Sequence, residues 1–139
     1  MEPIKVAGPV ITGKGTYTEI ADIFGPSQAG VGSRVDITAR IKNLYSNQIG
    51  IMAGGALEYG VTPWPTITFP DYWANVAAGA SKDFAGYFTM PASDVTVHIY
   101  SYYYGGDGLW HFDDERLATI RLTTEMVFSN LSVSYRRAD

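Results

Sequence analysis

From Arg34 to Leu44 the chain alternates: Val35, Ile37, Ala39 and Ile41 face one way while Asp36, Thr38, Arg40 and Lys42 face the other, the period of a half-buried strand. A turn at Tyr45-Ser46-Asn47-Gln48 leads into an apolar, glycine-rich run from Ile49 to Tyr59. That run reads as the antiparallel partner, with Gly54-Gly55 marking a bulge or a close backbone approach. Prolines 63, 65 and 70 confine the stretch 61–70 to an edge strand or extended loop, because each removes a ladder donor. Tyr72 to Ala78 reads as a further short strand. Phe84 to Met90 alternates again, with Phe84, Gly86, Phe88 and Met90 on one face, and Pro91-Ala92-Ser93-Asp94 makes a turn.

The run from Val95 to Tyr104 separates two kinds of side chain. Val95, Val97 and Ile99 share the side expected to face the core, while His98, Tyr100, Tyr102 and Tyr104 share the other. Gly105-Gly106-Asp107-Gly108 closes a hairpin, and Leu109 to Phe112 leads back. The four charged residues Asp113-Asp114-Glu115-Arg116 read as a polar turn before a strand from Leu117 to Leu122. Lys5 to Thr12, Thr16 to Phe24 and Val127 to Tyr135 complete the set, and the glycine-rich stretch 25–33 reads as an irregular loop. Antiparallel strands with one apolar face must bury it against another sheet, so the expectation is an all-β, antiparallel two-sheet sandwich, immunoglobulin-like or jelly-roll-like, with roughly seven to nine strands. Residues 1–139 form a single domain on this reading, and 123–139 supply an extra strand for subunit contact.

Composition narrows the partners. Charged residues are 17% of the chain and the formal charge is −4, leaving little to neutralise phosphates, so neither nucleic acid nor an acidic membrane is expected as a partner. Cysteine is absent, which excludes disulfides, thiolate nucleophiles and cysteine metal sites. The opening residues, with Glu2 and no long apolar run, do not read as a signal peptide or a membrane span.

Five stretches carry a likeness: G-T-Y-T-E-I at 15–20, G-S-R-V-D-I-T-A-R-I-K-N at 32–43, A-G-A-S-K-D-F-A-G-Y-F-T-M-P at 78–91, D-V-T-V-H-I-Y-S-Y-Y-Y at 94–104 and D-D-E at 113–115. Over residues 15 to 122 the chain resembles the immunoglobulin-like β-sandwich modules of cell-surface, S-layer-associated and viral structural proteins. The resemblance implies adhesion or assembly, with no catalytic residues to carry over.

Two groups of residues are candidates for contact. Tyr87, His98, Tyr100, Tyr102 and Tyr104 would form an aromatic patch suited to a protein interface, or else a ladder that steadies the sheet through cross-strand pairs. Trp64, Tyr72, Trp73 and Trp110, with Asp71 and Asn75 as polar neighbours, would stack on sugars, although one tryptophan, Trp73 or Trp110, is expected between the sheets instead. Asp107, Asp113, Asp114 and Glu115 could ligate calcium but lack the spacing of a dedicated loop, so a solvated turn is expected and no metal is assigned. His98 and His111 are the only histidines, and no nucleophile, phosphate-loop or zinc motif accompanies them. Asn130-Leu131-Ser132 matches a glycosylation sequon inside an expected strand and is read as incidental.

These readings converge on a non-enzymatic structural or decorating subunit of a larger assembly, a virion or surface layer. It would act through contacts with other protein subunits as a homo-oligomer or on a larger structural protein, with no cofactor. The alternative is a carbohydrate-binding module whose exposed tryptophans meet a glycan. On either reading the expected location is a virion or an extracellular surface.

Overall fold

A computed structural model describes residues 15–123. Among them are eight strands and no helix: β1 (Thr18–Phe24), β2 (Gln28–Ala29), β3 (Arg34–Asn43), β4 (Ile49–Glu58), β5 (Trp73–Val76), β6 (Ser81–Thr89), β7 (Val95–Tyr104) and β8 (Trp110–Leu122). They form a three-stranded sheet in the order β1-β3-β6 and a five-stranded sheet in the order β2-β8-β7-β4-β5. The expected strands at 5–12 and 127–135, the sequon and the proposed terminal contact strand fall outside the described residues, apart from Thr123.

The alternation in β3, β6 and β7 sets the core. Val35, Ile37, Ala39 and Ile41 meet Phe84 and Phe88 within one sheet, and Ile51, Val97, Ile99 and Ile120 come from the other, all in one buried cluster. Three tryptophans are left out of it. Trp64 and Trp73 are exposed and Trp110 is only half-buried, which corrects the expectation of a tryptophan between the sheets. Isoleucine, valine and the rings of Phe69, Phe84 and Phe88 already fill that space.

The five-stranded sheet is not purely antiparallel. Gln28–Ala29 runs parallel to Arg121–Leu122, with Arg121 and Thr123 donating their amides to the carbonyls of Ser27 and Ala29 at 3.0 and 2.8 Å. β8 runs past the start of β7, which begins opposite Ile120, and the 25–33 loop lies along the other edge of β8.

A second correction concerns 113–116, which is the middle of β8 and not a turn. Four charged residues are tolerated there because backbone groups of β1 receive them. Asp114 Oδ2 accepts from the Ile20 amide at 2.9 Å, and the Arg116 guanidinium donates to the Ile20 carbonyl at 2.6 Å. Asp113 accepts from the amides of Thr16, Tyr17 and Thr18 at 3.0, 3.1 and 2.7 Å. Ile20 thus has both backbone groups satisfied by side chains of the opposite sheet, as buried polar groups require. Buried Asn43, the register partner of Thr18, performs a similar task, donating to the carbonyls of Asn47, Val76 and Ala77 and accepting from the Tyr45 amide.

β4 is not the partner of β3 that the turn between them suggested, but belongs to the other sheet, and Gly54-Gly55 marks a close approach and not a bulge, since β4 pairs with β7 in unbroken register from Ile51 to Glu58. A Cβ on Gly55 would lie 2.8 Å from the His98 carbonyl oxygen. The bulge lies in β8, between the pairs Ser101–Asp114 and Tyr102–Phe112, so Asp113 is the extra residue.

Candidate functional site

The bulge at Asp113 reverses the parity of β8. On its C-terminal side Asp114, Arg116, Ala118 and Ile120 point inward and are buried. On its N-terminal side Phe112 and Trp110 share the outer face with Tyr102 and Tyr104, the residues they pair with. One extra residue therefore puts two aromatic rings outside that uninterrupted alternation would put inside.

At the end of the five-stranded sheet this builds a cleft. Asn75 pairs with Gly50, and Trp73 with Met52, while Tyr104 pairs with Trp110 on the far side. Gly50 sits between these walls without a side chain: a Cβ there would meet Tyr104 Cβ at 3.2 Å, the Trp110 ring at 3.4 Å and Asn75 Oδ1 at 3.6 Å. The resulting cavity, about 410 Å³, is lined by Gly50, Tyr72, Trp73, Asn75, Tyr104 and Trp110. Trp73 and Trp110 have ring centroids 6.1 Å apart at 61°, and Tyr104 and Trp110 5.2 Å apart at 67°. The rings are inclined walls and not a coplanar platform. Tyr72, Trp73 and Tyr104 are 48–50% exposed, and no charged side chain lines the cavity. Among the described residues the Asn75 amide and the hydroxyls of Tyr72 and Tyr104 make no hydrogen bond, leaving donors and acceptors free.

The cleft unites Tyr72, Trp73, Asn75 and Trp110 from the sugar-stacking group with Tyr104 from the tyrosine group. Trp64 and Asp71 lie elsewhere. Asp71 lines a separate shallow hollow with Pro70, Lys82, Asp83 and Ala85. Trp64 comes from the proline-rich 61–70 stretch, which lies along the edge of β4 opposite β7 through the Ala56–Thr66 bridge, and stacks on His98 at 4.5 Å and 28°.

The tyrosine group is divided as well. Tyr87 is on β6, in the other sheet, with the Arg34 guanidinium 3.9 Å from its ring centroid. It is not a neighbour of the β7 tyrosines, since alternation fixes faces but not sheet membership. His98 is 7% exposed, with Nε2 2.8 Å from Glu58 and Nδ1 2.7 Å from Glu115. Tyr100 and Tyr102 remain, flanking Phe112 with centroids 6.0 Å away on each side. Burial raises the pKa of both phenols and keeps them protonated as donors.

The acidic residues have protein partners. Asp113 and Asp114 hold β1, Glu115 holds His98, and Asp107 accepts from His111 at 2.8 Å. The hydrogen bond from His111 and that from the Leu109 amide lower the Asp107 pKa, whereas burial raises that of Asp114. Sequence reading missed Gly50 and Tyr17. The signal for Gly50 was present, a glycine two residues into an apolar strand, where a side chain would ordinarily pack.

No family model matches the chain, and no match is found among curated proteins. Two solved structures are similar, each with a TM-score of 0.47. One is the Pseudomonas fluorescens alkylpurine DNA glycosylase AlkC bound to DNA containing an abasic site analog, at 12% identity over 71% of this chain and 28% of that chain. The other is a Niemann-Pick type C2 protein from Japanese carpenter ant, at 8% identity over 77% of this chain and 95% of that one. The chain thus spans about 28% of the glycosylase chain, and at this level of likeness neither neighbour bears on what the chain does.

Proposed function

We propose that the protein is a non-enzymatic binding module that takes a neutral, soluble carbohydrate in the cleft between Trp73 and Trp110, on an immunoglobulin-like sandwich frame. The observation that carries this reading is the cleft itself: four aromatic side chains around a glycine floor, with a free amide at the rim. Sugar rings present apolar faces ringed by hydroxyls, and aromatic walls with scattered polar groups are complementary to both. The absence of a cation from the lining favours a neutral glycan over a carboxylated or sulfated one. The angle of 61° between the two indoles favours clasping a single chain over lying on a crystalline surface. His98 is engaged by two carboxylates beneath Trp64, which supports a binding role over a catalytic one.

Tryptophan fluorescence during titration with soluble β-1,4-glucan and chitin oligosaccharides tests this directly. Quenching that survives Trp64→Ala and disappears in Trp73→Ala is the expected result. Quenching unchanged in Trp73→Ala would place the sugar elsewhere.

One observation favours a second reading, a structural or decorating subunit of a virion or surface layer. Phe112 is 56% exposed between Tyr100 and Tyr102, outside the cleft, and such a row is suited to a protein interface. Light scattering over a wide concentration range distinguishes the cases: a stable oligomer dissociated by Phe112→Ser supports assembly, and a monomer throughout opposes self-assembly through this face.

A further inference from the structure

The outer face of the five-stranded sheet continues past the cleft. Met52 is the register partner of both Trp73 on β5 and Tyr102 on β7, so a wall of the cleft and the next outward tyrosine of β7 flank one residue on one face. From there Tyr102, Phe112 and Tyr100 form a row, with Phe112 6.0 Å from each tyrosine and inclined to them at 73° and 70°. Tyr102 leans over β4, where Gly54 leaves room for it: a Cβ there would lie 3.4 Å from Tyr102 Cε1. Thr66 bridges Ala56, which pairs with His98, so the Trp64 ring that stacks on His98 reaches over β4 and bounds the row.

We infer that this row extends the cleft, so that the protein binds a linear oligosaccharide laid along β7 from Trp73 toward Trp64, and not a single sugar. The inference rests on the carbohydrate reading of the cleft. Three observations carry it. The first is continuity. Tyr104, which lines the cleft, alternates with Tyr102 and Tyr100 on one strand, so all three share a face, and at ~3.4 Å per residue the row adds ~14 Å, room for more than one further sugar ring.

The second is exposure. Phe112 is 56% exposed, turned outward by the bulge at Asp113, and lies beside the ring edges of two tyrosines where the apolar face of a sugar can stack. The third is charge. Between Trp73 and Trp64 this face offers no lysine or arginine, since β4 and β7 contain none and Arg116 of β8 points inward. Glu58 and Glu115 flank the Trp64 end with side chains 46% and 29% exposed. Their oxygens can accept from sugar hydroxyls, and they repel a carboxylated or sulfated chain. The core of a protein interface is usually depleted of charged residues, so a row that ends in two half-exposed carboxylates favours a neutral glycan over a protein partner.

The test is calorimetric titration of the full chain with β-1,4-linked glucose and N-acetylglucosamine oligomers, from the disaccharide to the hexasaccharide, alongside light scattering of the same variants. Affinity should rise at least about tenfold over that series as the added sugars engage the row. Phe112→Ser should abolish the rise and leave disaccharide affinity unchanged, and Tyr100→Ala should reduce the rise in part. Trp73→Ala should weaken every length. Affinity independent of length, or a Phe112→Ser loss equal for disaccharide and hexasaccharide, would overturn the extension and leave the cleft standing. An oligomer that Phe112→Ser dissociates with hexasaccharide affinity unchanged would assign the row to a protein interface and overturn it too. Binding to no oligosaccharide would overturn both the extension and the cleft.

Discussion

Removing the Asp113 carboxylate tests how the bulge and the two sheets are held together. Its oxygens accept hydrogen bonds from three successive amides and from the Thr18 hydroxyl, the last at 2.6 Å. These bonds differ in value. The Thr16 amide is exposed and Tyr17 half-buried, so water replaces much of what Asp113→Ala removes there. Thr18 is fully buried, and its amide would be left without an acceptor at a cost of about 1–3 kcal/mol. Its hydroxyl retains Ser101 Oγ at 2.7 Å. Adding the lost charge-assisted bond and subtracting relief of carboxylate desolvation gives a net destabilisation of about 2–3 kcal/mol. In urea, with a slope of about 1–3 kcal/mol/M, the midpoint should fall by about 1–2 M. Asp113→Asn, which retains one acceptor for Thr18, should lose about half as much. An Asp113→Ala protein within about 0.5 kcal/mol of the wild type would refute the reasoning, because the bulge would then be held by the β7–β8 ladder alone.

Three further outcomes are expected. Gly55→Ala should destabilise by about 1–3 kcal/mol in thermal or chemical denaturation, because the His98 carbonyl cannot withdraw from a methyl 2.8 Å away, whereas Gly54→Ala, 3.4 Å from the Tyr102 ring, should be nearly neutral. Asp114 has its pKa raised in the folded state, chiefly by burial. The folded protein then holds this proton when the unfolded chain has released it, so stability should fall as pH rises from the ordinary aspartate value through the raised one. Denaturation across that window should show a slope that Asp114→Asn lacks. Trp64→Ala should cost about 1–2 kcal/mol through loss of its stacking on His98, and amide exchange at Leu57, which donates to the Pro65 carbonyl at 2.9 Å, should accelerate as the 61–70 stretch loosens.

Where burial follows local alternation, the sequence was readable. β3, β6 and the aliphatic side of β7 have the faces that their period assigns, because one apolar side and one polar side allow a single register. The failures share a cause: the deciding partner is distant in the chain. Asp113 to Arg116 look like a turn until β1 supplies their partners, with Asp113 and Thr18 separated by 95 residues. Tyr87 alternates correctly within its strand, yet nothing local tells which sheet β6 joins. Likewise the tryptophans and Asn75 were visible singly, but their meeting depends on the order β8-β7-β4-β5 and on Gly50 leaving space between them.

The grip of β8 side chains on Ile20 has a further consequence, for aggregation. An uncovered strand edge can template a foreign strand, and proteins usually blunt such edges. Here the free side of β1 has its amides at Thr18 and Ile20 and its carbonyl at Ile20 occupied by Asp113, Asp114 and Arg116. The outer side of β6 is bridged midway, with Thr68 and Tyr87 exchanging hydrogen bonds at 3.1 and 2.9 Å. The edges of the larger sheet are strands of only two and four residues. The described residues therefore offer little backbone for runaway strand addition. Such a fold can be held at high concentration while its main chain resists joining a neighbour's sheet.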